Sequence, residues 1–130
     1  MKYKYKFSEI ILKSGNRKMI IIMEEKYQMV AKFLMSDIQG SDPSYVFEAI
    51  DKVLSGNSEY EELNGNVCGV EIHKDMTQVY DNLADDGMGN WCEIETKELR
   101  ELVGIWCDEI KRFKEQKKWD IKYINFLICQ

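Results

Sequence analysis

Leu99, Leu102, Val103, Trp106, Ile110 and Phe113 recur at the spacing of one helical face, and no other feature constrains the fold of this chain as much. A helix with such a stripe needs a broad apolar surface to lie on. The residues before it supply one. Cys68, Val70 and Ile72 alternate with Gly69, Glu71 and His73, which is the period of a strand with one buried and one wet face. Met76, Gln78 and Tyr80 alternate with Thr77, Val79 and Asp81, and Trp91 to Ile94 reads as a further brief strand. Asn64-Gly65-Asn66 and Lys74-Asp75 are turn signals between these runs, so the strands follow one another as an antiparallel meander that begins near Tyr60 and Leu63. Glu95 or Thr96 then caps the long helix. Lys111, Arg112, Lys114, Lys117 and Lys118 gather towards its end, where cations suit the helix dipole.

The first third of the chain adds a hairpin. Tyr3, Tyr5 and Phe7 alternate with Lys2, Lys4 and Lys6, Ser14-Gly15-Asn16 turns, and Met19 to Met23 is a β-branched run suited to a central strand. Between residues 24 and 38 two patterns overlap. Val30, Phe33, Leu34 and Ile38 fit one helical face, whereas Tyr27, Met29, Ala31 and Phe33 fit one strand face. A strand followed by a loop is the expectation there. Asp42-Pro43 opens a helix whose buried face is Phe47, Ile50, Val53 and Leu54, and Gly56 closes it. The apolar residues from Ile121 to Cys129 fit either a closing strand or a short helix. The reading is an α+β fold in a single domain over residues 1–130, with a predominantly antiparallel sheet of about five or six strands covered by two main helices.

The N-terminal run alternates lysine with aromatics, which is not the apolar core of a signal peptide, so a cytoplasmic protein is expected. The four cysteines, Cys68, Cys92, Cys107 and Cys129, are widely spaced with mostly apolar neighbours, the pattern of buried free thiols rather than of a zinc site. No phosphate-cradling glycine motif is present, and no cofactor is expected. The only histidine, His73, falls on the wet side of its strand, away from Cys68, so the two do not form a nucleophile and base. The run from Asp81 to Gly87 lacks the ligand spacing of a calcium loop. Catalysis is therefore not expected.

Charge is more informative. Between Glu48 and Glu95 there are twelve acidic side chains against two basic ones, Lys52 and Lys74, although the whole chain carries a net charge of only −5. Residues 1–32 are basic. Such a field repels nucleic acid and anionic membrane and attracts basic surfaces.

Two resemblances follow from these residues. From Val46 to Phe113 the order of elements resembles that of the small YacL-like bacterial proteins. It includes Leu54-Ser55-Gly56 at a helix end, Gly65 to Ile72 as a strand, and Cys92 to Leu99 opening a helix. In overall character, small, acidic and without catalytic motifs, the chain is similar to the immunity proteins of contact-dependent inhibition and related polymorphic toxin systems. That resemblance implies a cognate toxin domain as partner, basic in surface and a nuclease, with nucleic acid and membrane excluded and the oligomeric state left open. The expected contact residues are Glu59, Glu61 and Glu62 on the short strand, and Asp81, Asp85, Asp86 and Trp91 around the glycine-containing loop. Trp91 suits either an interface anchor or the core. The YacL-like resemblance implies instead a housekeeping binding protein.

Overall fold

A computed structural model describes residues 1–39, 42–83 and 90–128, with 117–128 as backbone alone. An antiparallel hairpin comes first, β1 (Tyr5–Ile11) and β2 (Arg17–Met23), which pair Tyr5 with Met23 through to Ile11 with Arg17. A 3-10 turn at Glu25–Tyr27 leads into α1 (Gln28–Asp37), and α2 (Ser44–Leu54) follows. Four strands then form a second antiparallel sheet in sequence order: β3 (Tyr60–Asn64), β4 (Cys68–His73), β5 (Met76–Asp81) and β6 (Trp91–Glu95). The chain ends in a long helix, α3 (Thr96–Ile128).

The α+β class and the antiparallel meander are as the sequence indicates, but the strands divide into two sheets rather than one. The strand and loop expected between residues 24 and 38 are instead the 3-10 turn at Glu25–Tyr27 and α1 at Gln28–Asp37. Met29, Val30, Ala31, Phe33 and Leu34 are all buried in α1, because this helix packs against β2 on one side and against β4, β5 and β6 on another. A helix covered from two sides has no single apolar stripe, so its sequence mimics an alternating strand. Residues 121–128, left open between strand and helix by the sequence, continue α3.

All three helices pack on the same side of the four-stranded sheet. Cys68, Val70 and Ile72 of β4, Thr77 and Val79 of β5, and Cys92 and Ile94 of β6 form its inner face, and all are buried. The stripe of α3 closes over them through Leu99, Leu102, Val103, Trp106 and Ile110, likewise buried. Trp106 donates its indole N–H to the carbonyl of Ile38 at 2.6 Å, tying α3 to the end of α1. Thr77 and Thr96 share a buried hydroxyl hydrogen bond of 2.8 Å that links β5 to the start of α3. Asp37 holds the β3–β4 turn by accepting the N–H groups of Val67 (3.1 Å) and Cys68 (2.9 Å). Asp42 accepts the N–H of Ser44 at 3.0 Å just ahead of α2, whose N-cap is Pro43, and Gly56 leaves that helix at a φ of 83°, the left-handed conformation that glycine tolerates.

Candidate functional site

Because strand residues alternate in direction, burying Cys68, Val70 and Ile72 sends Gly69, Glu71 and His73 to the other side of the sheet. The registers align these outward residues into rows. Glu62, Glu71, Gln78 and Glu93 lie side by side across β3, β4, β5 and β6. The next row is Asn64, Gly69, Tyr80 and Trp91. On the other side of the carboxylate row lie Tyr60 opposite His73, and Met76 opposite Glu95.

This outer face carries no helix among the described residues. Tyr60 is 51% exposed and Trp91 50%, while Glu62, His73 and Glu93 are also exposed. Gln78 donates its amide to Glu93 at 3.2 Å, and the His73 Nε2 lies 3.0 Å from a Glu71 carboxylate oxygen, with the Tyr60 ring stacked on the imidazole at 5.6 Å. Tyr80 lies across Gly69: a Cβ at position 69 would sit 2.4 Å from the ring, so only glycine allows the phenol to rest there. Burial raises the Tyr80 pKa above its ordinary value, and the neighbouring Glu62 and Glu71 carboxylates act in the same direction.

The residues singled out from sequence are distributed unevenly over this structure. Glu62 and Trp91 share the outer face. Glu59 is exposed just ahead of β3. Glu61 points to the same side as its partner Ile72, at the margin of the core. Asp81 belongs to the inner rank of β5, with its carboxylate 3.6 Å from the ammonium of Lys32. Asp85 and Asp86 lie outside the described residues. Glu71, Tyr80 and Glu93 join Glu62 and Trp91 on the outer face although the sequence reading did not select them. Part of the signal was available: the alternation of β4 sends Glu71 to the wet face with Gly69 and His73. Its pairing with Glu62 was not, because the chain turns about Asn66-Val67, where the Gly65 N–H meets the Cys68 carbonyl at 2.9 Å, rather than about Asn64-Gly65.

Cys68 and Cys92 are poorly suited to chemistry, Cys107 is only partly buried, and Cys129 lies outside the described residues. Cys68 is buried on the inner face, and burial, with Asp37 nearby, pushes its pKa up to about 11. Cys92 is buried as well, and burial raises its pKa too. Among the described residues, no three His, Cys, Asp or Glu side chains converge in a metal-ligating group, and no helix is long and apolar enough to cross a membrane. The distinctive surface is the open sheet face, which offers carboxylates, aromatics and hydrogen-bond acceptors in a flat array. Such an array is equipped for binding.

A Bacillus cereus protein that bears the name "Immunity protein" is 40% identical to this chain over 122 residues, a match that covers 94% of the chain and 100% of that protein. No protein-family model matches the chain. No solved structure matches it either.

Proposed function

We propose that this chain, which belongs to the immunity protein family, neutralises a cognate toxin domain with a basic surface, a nuclease, by covering that surface with carboxylates. The system would be one of contact-dependent inhibition or a related polymorphic toxin type, with the complex forming in the cytoplasm. The role is binding rather than catalysis.

The observation that carries this reading is the concentration of charge, twelve acids against two bases between Glu48 and Glu95. A nuclease holds phosphates with lysine and arginine. Carboxylates presented to those cations occupy the sites phosphate would take, and the opposed fields steer the two proteins together. Fast encounter matters when the target is lethal. Glu59, Glu61, Glu62, Asp81, Asp85, Asp86 and Trp91 are the candidate contacts, with Trp91 able to act as an aromatic anchor because half of its surface is exposed.

The test uses the toxin domain encoded next to the gene for this chain. Co-expression is expected to protect cells, and the purified proteins are expected to associate at a rate that falls steeply with salt. Reversing the charge of Asp85 and Asp86 to lysine should slow association about 10-fold at low salt and flatten the salt dependence, with folding intact. Absence of affinity for that toxin domain sinks the reading, and the YacL-like housekeeping binding function would then lead.

A further inference from the structure

We infer that the toxin docks on the outer face of the four-stranded sheet, through arginine side chains laid between its carboxylate row and its aromatic row. This rests on the reading of the chain as a toxin-binding immunity protein.

The first ground is the internal pairing of the acids. Three other carboxylates of the acidic middle already have cations, whereas Glu48, Glu59, Glu61 and Asp75 have no lysine or arginine partner among the described residues but do not line up in one row across the sheet. Asp51 accepts two hydrogen bonds from Arg100 at 2.7 and 3.0 Å, Asp81 lies 3.6 Å from Lys32, and Glu95 lies 2.6 Å from Lys2. The row of Glu62, Glu71 and Glu93 has no lysine or arginine partner among the described residues. Glu71 meets only His73, Glu93 meets only Gln78, and Glu62 stands directly opposite Glu71 in the register. Like charges in directly opposed positions weaken a sheet. An external cation seated between Glu62 and Glu71 removes that repulsion, so the face gains from a basic partner beyond the new contact itself.

The second ground is the aromatic row beside it. Tyr80 rests on Gly69 and Trp91 is its cross-strand neighbour, which gives two adjacent π surfaces alongside the carboxylates. Guanidinium is planar, stacks on aromatic rings and takes a carboxylate through two parallel N–H bonds, whereas ammonium offers a compact point charge. A surface that alternates rings with carboxylates therefore selects arginine over lysine. A two-fold dimer through this face is a poor occupant, since it would bring carboxylates to carboxylates.

Two measurements test this. In the first, the toxin domain encoded next to the gene is titrated against the wild-type chain, against a sheet-face triple variant (Glu62→Gln, Glu71→Gln, Glu93→Gln), and against a control triple variant with the same charge change elsewhere (Glu25→Gln, Glu48→Gln, Glu115→Gln). Thermal unfolding of each confirms its fold. The sheet-face variant is expected to bind about 100-fold more weakly and the control within about 3-fold of wild type. Equal losses in the two variants, or no loss in either while wild type binds, overturn the docking face and leave the toxin-binding reading standing. A wild-type chain that fails to bind removes both. In the second measurement, nona-arginine and nona-lysine peptides are titrated into the isotopically labelled chain and followed by amide NMR. Tighter binding of the arginine peptide is expected, with shifts centred on Gly69, Tyr80 and Trp91. Equal affinities, or shifts centred on the exposed hairpin residues Ile11 and Leu12, overturn the arginine assignment.

Discussion

The two faces of the four-stranded sheet come from the same strands, one residue apart, yet their composition is opposite. The inner face presents Cys68, Val70, Ile72, Val79, Cys92 and Ile94, with Thr77 as a polar member whose hydroxyl is paired to Thr96. The outer face presents Glu62, Glu71, Gln78 and Glu93 beside Tyr60, Tyr80 and Trp91. Nothing in strand geometry requires the second set. A wet sheet face is served as well by threonine and by lysine alternating with glutamate, with opposite charges across strands. Placing Glu62 against Glu71 is less stable than such an arrangement. The inner face therefore reads as the half that holds the fold, and the outer face as the half kept for a partner.

That contrast is open to measurement by urea unfolding at neutral pH. The largest effect is expected from Trp106→Ala, in the layer the inner face packs on. It removes a buried side chain and leaves the Ile38 carbonyl without its donor, so a loss of about 3–5 kcal/mol is expected. Unchanged stability would show that α3 does not close the core. A smaller loss, about 1–3 kcal/mol, is expected for Asp37→Ala, which strips the Val67 and Cys68 N–H groups of their acceptor. If that variant were neutral, the β3–β4 turn would not depend on the end of α1. The smallest effect belongs to the outer face. Glu62→Gln should change stability by no more than about 0.5 kcal/mol, in the stabilising direction, because it relieves the repulsion with Glu71. A loss above about 1 kcal/mol would break the comparison by giving Glu62 a structural role.

Much of this contrast can be read from the residues. The alternation in β4 and β5 and the turns at Asn64-Gly65-Asn66 and Lys74-Asp75 define which side chains share a face and which strands pair. The stripe of α3 is equally plain, since one helix side meets the core and the other meets water. The α1 segment was not legible for the converse reason. The hairpin and the larger sheet bury it from two directions, which erases the periodicity that distinguishes helix from strand. Trp91 was ambiguous because both ranks of β6 contain apolar residues: Trp91 on one side, Cys92 and Ile94 on the other. The acids were legible as a group, but not which of them already hold a cation, since Asp81 with Lys32 and Asp51 with Arg100 are separated in the chain and meet only in space.

By itself, the sequence determined the α+β class, the order of the meander, the stripe of the long helix and the concentration of negative charge in the middle of the chain. These depend on periodicity, turn chemistry and composition, which act over a few residues and need no knowledge of distant neighbours. Only the tertiary structure decided that the strands form two sheets, that residues 28–37 are a helix enclosed between them, and that Trp91 is turned outward. It also decided that Glu62, Glu71 and Glu93 line up with no arginine or lysine partner among the described residues. Each of these is set by burial against surfaces remote in sequence. Covering one face of a sheet with three helices fixes the direction of every side chain in it, and so also fixes which residues remain for a partner.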